Sequence, residues 1–238
     1  MRRFAHKRGS ALIAALTVML TACEDRPSDG VQIGAFVDSP VEGLSYQTET
    51  LSGLTNAFGQ FRYLPGESIS FSVGNVSLGD PVAAKPVMTP LDLVPDARIY
   101  RTTAEVLEMF RDYRDDRADF PVSGKPSFRR LTNIVVFLQT FDTDRNPERI
   151  EISAGVRSLL ANARIDFEQS IYQFGKDVDL FAGRLFFEHN TFRYFTWLAA
   201  RDGLIPTSSP QRPGAALDHL YRTLGTETDF RVPRTTVT

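Results

Sequence analysis

Three oxygen-bearing side chains stand at alternate positions in the stretch TFDTDRNPERIEIS: Asp142, Asp144 and Asn146. Hard cations such as Ca²⁺ are bound by carboxylate and carbonyl oxygens of a turning loop, so this spacing makes calcium a candidate ligand. The stretch matches an EF-hand loop poorly, because Pro147 stands at the turn-glycine position and Ser153 at that of the bidentate Glu. The alternative interpretation is an acidic surface turn stabilised by hydrogen bonds from its Asp and Asn side chains.

The sequence contains no recognised motif of catalytic residues. The chain has no GxGxxG, GxxxxGK[ST] or GxSxG motif, and its histidines, His6, His189 and His219, show no HxH or HExxH spacing. His6 lies in the predicted N-terminal export signal, and His189 and His219 are each predicted to be structural or surface residues. A carboxylate pair assembled by the fold would leave no sequence pattern and stays an alternative. We expect a protein that is not an enzyme and has no cofactor beyond the candidate calcium.

The first 23 residues have the layout of an export signal. Four basic and no acidic residues stand in residues 2–8, the apolar run ALIAALTVML follows, and Leu20, Thr21, Ala22 and Cys23 close it. The run is too short to span a bilayer as a stable helix, and small residues precede the expected cleavage point. Because Cys23 is the only cysteine, the exported protein is expected to fold without an internal disulfide.

The residues Leu20 to Cys23 resemble the lipobox of bacterial lipoproteins, in which Leu and two small or hydroxyl residues precede an invariant Cys. The resemblance implies cleavage after residue 22, a signal peptide of residues 1–22, and acylation of Cys23. It also implies a membrane partner, since each buried methylene of the acyl chains contributes about 0.8 kcal/mol to anchoring. Glu24 after the Cys implies the outer membrane of the bacterial cell envelope. The alternatives are an ordinary cleaved signal with a chance Cys and an uncleaved membrane helix.

The chain that follows residue 22 is mildly acidic. It has 23 basic and 29 acidic residues and a net charge of −6. This balance argues against nucleic acid as a partner and against electrostatic binding to anionic lipid. Residues 23–30 are polar and contain Pro27 and Gly30, which predicts a flexible tether between the lipid and the fold.

Residues 31–90 have the pattern of short strands. The segments VQIGAFVD, VEGLSYQTET, GQFRYL and ESISFSVG are rich in Val, Ile, Phe and Tyr and are separated by turn residues. Ile69, Phe71 and Val73 alternate with serines, which predicts half-buried strands with one wet face. The spacing between strands predicts a small sandwich or barrel that depends on its neighbour for stability.

The same segment resembles the small prealbumin-like or carboxypeptidase-regulatory-like β-sandwich of many bacterial envelope proteins. The shared positions are Val37, Asp38, Pro40, Val41, Gly43, Tyr46, Gly53, Thr55, Gly59, Phe61, Tyr63, Gly66, Ile69, Phe71, Gly74, Leu78 and Gly79. The resemblance implies a binding, adhesion or spacer module without catalytic residues. Gly59 and Gly66 are expected at turns that need a positive φ.

Residues 91–238 have a period near 3.6 and predict a helical domain. The helix candidates are TTAEVLEMFRDY, SFRRLTNIVVFLQTF, SAGVRSLLANA, DFEQSIYQFG and PGAALDHLYRTLG. Ser127 is predicted to cap the second of them. Residues 179–203 are apolar nearly all round and are predicted to lie at the centre of this domain. The predicted fold class is α+β, with a small N-terminal antiparallel β-sandwich followed by an all-α helical domain.

The segment NIVVFLQTFDTDRNPERI resembles a helix and loop of related bacterial envelope lipoproteins. The shared positions are Asn133, Ile134, Leu138, Gln139, Thr140, Asp142, Asp144, Pro147 and Ile150. Arg145 departs from the pattern, since it stands where those proteins have Gly, and Glu148 with Arg149 replaces an Asn-Gly pair.

Two hypotheses about function follow. The first is a non-catalytic binding or adhesion protein that presents its sandwich or its acidic loop to an envelope polymer or protein. The second is a structural or accessory subunit of an envelope assembly, in which the helical part docks on a partner. A calcium-binding envelope protein is a further alternative.

Overall fold

The protein is described by a computed structural model, which covers residues 30–94, 97, 126–175 and 191–225. Several predictions lie outside these residues: the signal peptide with His6, the acylated Cys23, the tether before Gly30, the helix over residues 102–113, and residues 179–190 with His189. Within the described ranges nine strands come first along the chain, and helices follow with one short strand among them. The protein is of mixed α and β structure, as the change of sequence period at Pro90 predicted.

Ten short strands carry the β structure of the described residues. They are β1 Gln32–Phe36, β2 Val41–Glu42, β3 Ser45–Gln47, β4 Ser52–Leu54, β5 Gln60–Tyr63, β6 Ser68–Val73, β7 Val76–Ser77, β8 Val82–Ala83, β9 Val87–Met88 and β10 Ile150–Glu151. In β6, Ile69, Phe71 and Val73 are buried, as their alternation with serines predicted. Gly59 and Gly66 have positive φ angles of 69° and 94°, as the turns required.

The strands form three sheets. One has the order β5-β1-β9, a second has β4-β3-β6-β7 with β8 also paired to β6, and a third joins β10 to β2. Five pairs are antiparallel, as predicted for the sandwich, but β1 with β9 and β2 with β10 are parallel. Parallel pairing needs a long connection, and these strands are separated by about fifty and a hundred residues.

Five helices and one 3₁₀ turn complete the described structure. They are α1 Pro126–Thr140, α2 Ala154–Leu159, followed by the 3₁₀ turn Leu160–Asn162, α3 Ile171–Gly175, α4 Thr191–Arg201 and α5 Pro213–Thr223. Because Pro126 is already helical, Ser127 lies inside α1, and the prediction that Ser127 caps this helix is wrong. None of the described helices has the length and apolar character that crossing a membrane requires.

The α4 helix is amphipathic, and not apolar all round as its sequence segment predicted. Phe192 and Ala199 are buried, whereas Trp197 is 46% exposed and Arg201 is exposed. The Arg201 guanidinium lies over the Trp197 ring, 5.1 Å from its centroid. The buried side packs through aromatic contacts, with the rings of Phe192 and Phe174 stacked 4.2 Å apart. One face of α4 therefore belongs to the core and the other to solvent.

Buried side chains of the strands and of the helices form one continuous cluster. It includes Phe36 and Phe71 from the strands and Phe137 and Leu160 from the helical part. The 3₁₀ turn lies close to Gly74, whose φ is 58°, and Asn75 donates its backbone N–H to the Leu160 carbonyl at 3.0 Å. The part before residue 90 thus packs against its neighbour, as its small size predicted. The division into domains 31–90 and 91–238 stays a prediction.

Candidate functional site

A buried polar turn follows β1. Asp38 is completely buried and Ser39 nearly so, and Val37 pairs with Pro40 across the turn. Ser39 has a φ of 54°, in the left-handed region that residues other than glycine, Asn and Asp rarely adopt. Polar turns usually lie at the surface, so this one requires partners inside the protein.

Gln139 supplies the partner of Asp38. Its Nε2 donates to the Asp38 carboxylate at 3.1 Å to Oδ2 and 3.3 Å to Oδ1, and to the Ala216 carbonyl at 3.1 Å. Gln139 lies near the end of α1 and Ala216 lies in α5. One amide group therefore joins the end of β1 to two helices that are remote in the sequence.

The Asp38 carboxyl binds its proton more tightly than an ordinary aspartic acid does. Burial raises the pKa of Asp38 from its ordinary 3.8 to about 7, and the hydrogen bond from Gln139 opposes that rise. Desolvation dominates because a carboxylate loses its water contacts while a single neutral amide replaces them. Near neutral pH the carboxyl is therefore present in both its charged and its neutral form.

Ser39 is bound by a histidine of α5. Its Oγ lies 2.9 Å from Nε2 of His219. Burial lowers the pKa of His219, a hydrogen bond to the backbone of Asp38 raises it, and the nearby Arg222 charge lowers it. The net shift is downward, so the ring is neutral at pH 7 and shares a neutral hydrogen bond with the serine hydroxyl.

The predicted metal residues lie in the loop after α1, and each has a hydrogen-bond partner within the loop. Glu151 donates its backbone N–H to Oδ1 of Asp142 at 2.9 Å. Asn146 donates its backbone N–H to Oδ1 of Asp144, and Glu148 donates to Oδ1 of Asn146, both at 3.0 Å. The last two are successive turns closed by Asp and Asn side chains, as the alternative interpretation of this stretch predicted.

A cation already lies among the acidic side chains of this loop. The guanidinium of Arg149 contacts Glu42 at 2.9 Å, Asp144 at 3.0 Å and Glu151 at 2.9 Å. The pKa of Asp144 is lowered by its hydrogen bond from the Asn146 backbone and by Arg149, whereas burial raises the pKa of Asp142. Within the described ranges, no three His, Cys, Asp or Glu side chains are grouped to hold a metal ion. Calcium stays a prediction, and the arginine competes with it.

The acidic loop, α1 and α5 meet around one polar cavity of about 260 Å³. Its wall includes Gln139, Asp142, Arg145, Arg149, Gln211 and His219. Gln139 and His219 are the side chains that bind Asp38 and Ser39 of the buried turn. Gln211 is held by its backbone N–H, which donates to Oγ1 of Thr140 at 2.9 Å. The polar cavity thus has walls of both charges, and hydrogen bonds fix the side chains of Gln139, Asp142, Arg149 and His219 within it.

The sequence indicated only part of this arrangement. Asp142 was predicted as a functional residue and does line the polar cavity. Asp38 was noted as a shared position of the sandwich pattern, and His219 was predicted to be a structural or surface residue. Gln139 could have been recognised as part of the site from its place among apolar residues of α1, because a polar side chain there needs a buried partner. No family model, curated protein or solved structure matches the chain.

Proposed function

We propose that this chain is a bacterial lipoprotein, anchored by acylated Cys23 at the outer membrane, that binds an envelope polymer or protein through the polar cavity without catalysis. The observation that carries the binding role is the construction of the cavity. The side chains of Gln139 in α1, Asp142 in the acidic loop and His219 in α5 are held by hydrogen bonds before any ligand is present. A site prepared in this way loses little side-chain entropy on binding.

The size of the cavity indicates what it accepts. Its volume of about 260 Å³ is below the roughly 300–1,000 Å³ that is typical of sites for whole drug-sized ligands. The wall offers the charged groups of Asp142 and Arg145 and the amide of Gln211. A polar group that protrudes from a larger partner, such as one sugar unit or one side chain, suits this volume and these donors and acceptors.

Hydrolysis by the Ser39 and His219 pair is a less well supported alternative. A nucleophilic serine needs a histidine base that a third group orients, and it must be reachable by substrate. Ser39 is nearly buried, and the described residues place only a backbone group and no carboxylate against the His219 ring. The pair is better suited to holding the β1 turn than to attacking a substrate.

The finer architecture belongs to the same proposal: the two larger sheets form a prealbumin-like sandwich. In support, Phe36 of the β5-β1-β9 sheet contacts Phe71 of the other sheet, with ring centroids 4.7 Å apart. Phe61 also contacts Phe71, at 5.3 Å and nearly perpendicular. Aromatic side chains that meet between two sheets are the packing expected of a narrow sandwich core.

The accessory-subunit hypothesis has its own support in Trp197. Its ring is 46% exposed on α4 and lies under the Arg201 guanidinium. Trp and Arg are the residue types enriched where proteins contact one another. This alternative places the partner on the helical part and leaves the polar cavity without a role.

Photocrosslinking in living cells tests the proposal. A photoreactive phenylalanine analogue is placed at Gln211, which lines the polar cavity and is exposed, and at Arg164, which is exposed elsewhere. We expect an adduct at Gln211 and none at Arg164. Adducts at both positions, or at neither, would contradict binding through the cavity. The same probe at Trp197 tests the accessory-subunit alternative, because only that hypothesis predicts an adduct there.

A further inference from the structure

One face of the β5-β1-β9 sheet is exposed and apolar. Ile33 and Ala35 of β1 alternate with the buried Gly34 and Phe36, and Val87 of β9 is paired in register with Ala35. Successive side chains of a strand point to opposite faces, so Ile33, Ala35 and Val87 share the outer one. Ile33 is 64% exposed and Val87 54% exposed.

Two polar residues of β5 extend this outer face. Gln60 and Arg62 are paired with Ala35 and Ile33, and both are exposed. Ile33 and Val87 are two of the five large apolar side chains that are exposed within the described part of the chain. We call Ile33, Ala35, Gln60, Arg62 and Val87 the outer face.

The outer face lies at the end of the tether. Ile33 stands ten positions after Cys23 in the sequence. A chain of that length reaches at most about 35 Å. Acylation of Cys23 would therefore hold the outer face beside the lipid surface, where even a weak contact forms readily because its effective concentration is high.

The composition of the outer face suits the interfacial region of a bilayer. Burial of Ile33 and Val87 away from water is favourable, and the Arg62 guanidinium can meet lipid phosphate while its stem stays among apolar groups. The net charge of −6 means that apolar burial, and not general electrostatic attraction, must carry this contact.

We propose that the outer face rests on the lipid bilayer and fixes the orientation of the anchored protein. This inference depends on the lipid anchor of the proposed function and adds a contact between the fold and the membrane. The occupant is a lipid surface, because β1 begins nine positions after Cys23 and the chain between them keeps this face within about 35 Å of the anchor.

The test uses the full lipidated chain, purified from membranes and reconstituted into vesicles of phosphatidylethanolamine and phosphatidylglycerol. Cys23 is blocked by its acyl chain, so Val87→Cys provides one thiol for an environment-sensitive fluorophore. Leu54→Cys and Trp197→Cys are matched controls, since both side chains are exposed and apolar and lie outside the outer face. Nitroxide-labelled lipids are the quencher, and vesicle flotation measures anchoring.

We expect at least threefold stronger quenching at Val87→Cys than at either control, in protein that floats with the vesicles. Equal quenching at all three positions in floating protein overturns the inference and leaves the anchor intact. Self-quenching at Val87→Cys that rises with protein density, without quenching by nitroxide lipid, also overturns it, because a second copy then covers the face. Failure to float overturns the anchor and this inference together.

Discussion

Ser39 and His219 are joined by a hydrogen bond of 2.9 Å, although 180 positions separate them in the sequence. The neighbouring Asp38 is joined to Gln139 across 101 positions. These two contacts connect the end of β1 to α1 and α5, and both helices contribute side chains to the wall of the polar cavity. The stability of the cavity is therefore expected to depend on the protonation of Asp38 and His219.

Asp38→Asn is expected to change how stability depends on pH. Burial raises the pKa of Asp38 from 3.8 to about 7, so the native state retains a proton that the unfolded chain releases. Stability contributed by this group is present below pH 3.8 and is lost as the pH rises to 7, by about 4 kcal/mol. Urea unfolding between pH 4 and 8 should show the free energy of unfolding falling more steeply in the wild type than in the variant. Parallel curves would contradict the assignment.

The contribution of His219 to stability is expected to change with pH in the direction opposite to that of Asp38. Its pKa is lowered by burial below the ordinary 6.5, so the unfolded chain binds a proton more readily than the native state does. Stability is then lost as the pH falls below 6.5. Proton NMR of the imidazole should show a midpoint below 6.5 in the folded protein. A midpoint above 6.5 would show that the ring gains a charged partner that the structure does not place beside it.

Gly74→Ala is expected to lower the free energy of unfolding by more than the unfavourable φ angle alone would. A Cβ at Gly74 would lie 2.6 Å from the Arg157 carbonyl oxygen, and the φ of 58° disfavours any side chain. Gly203→Ala is the matched control, because its φ is 69° but no atom lies within 4 Å of the added carbon. We expect a loss of about 1 kcal/mol for the control and about 2 kcal/mol more for Gly74→Ala.

Urea unfolding of both variants measures this difference. A larger loss for Gly74→Ala shows that the 3₁₀ turn packs against the backbone of Gly74. Equal losses for the two variants would mean that this contact between the strands and the helical part is not formed as described.

Millimolar Ca²⁺ is expected to leave the Tm of the protein unchanged. Arg149 contacts Glu42, Asp144 and Glu151, so a calcium ion would have to displace a guanidinium that already compensates their charge. A ligand that binds only the native state must raise Tm, which makes thermal melting a sufficient measurement. A rise in the wild type would restore the calcium hypothesis. A rise in Arg149→Gln alone would show that the arginine is what excludes the ion.

The periodicity of apolar residues predicted the secondary structure correctly where the buried residues of an element follow that periodicity. The alternation around Phe71 comes from a single buried face, and the sequence records such a face directly. The helical period also predicted α1, although residues 131–138 of that helix are buried on every side. The α4 prediction failed because Trp197 is apolar but faces outward, so composition indicated more burial than the helix has. Parallel pairing of β10 with β2 was not predictable, since it depends on where the chain returns after about a hundred residues.

The candidate site was less predictable than the fold. Its central contacts join residues that the sequence separates by about a hundred positions or more, and neither Asp38 nor His219 stands in a catalytic or metal-binding motif. Asp142 was found because its loop is a local pattern. The same pattern suggested a metal, because the sequence does not show that Arg149 folds back onto the acidic side chains.

Both proposals place this protein at a membrane, and that placement depends on Cys23. The most direct measurement is metabolic labelling with a palmitate analogue of cells that express the wild type or Cys23→Ser, followed by separation of membranes from the soluble fraction. We expect the wild type to carry the label and to sediment with membranes, and the variant to lose both properties. A variant that keeps the label, or a wild type without it, would contradict the lipid anchor.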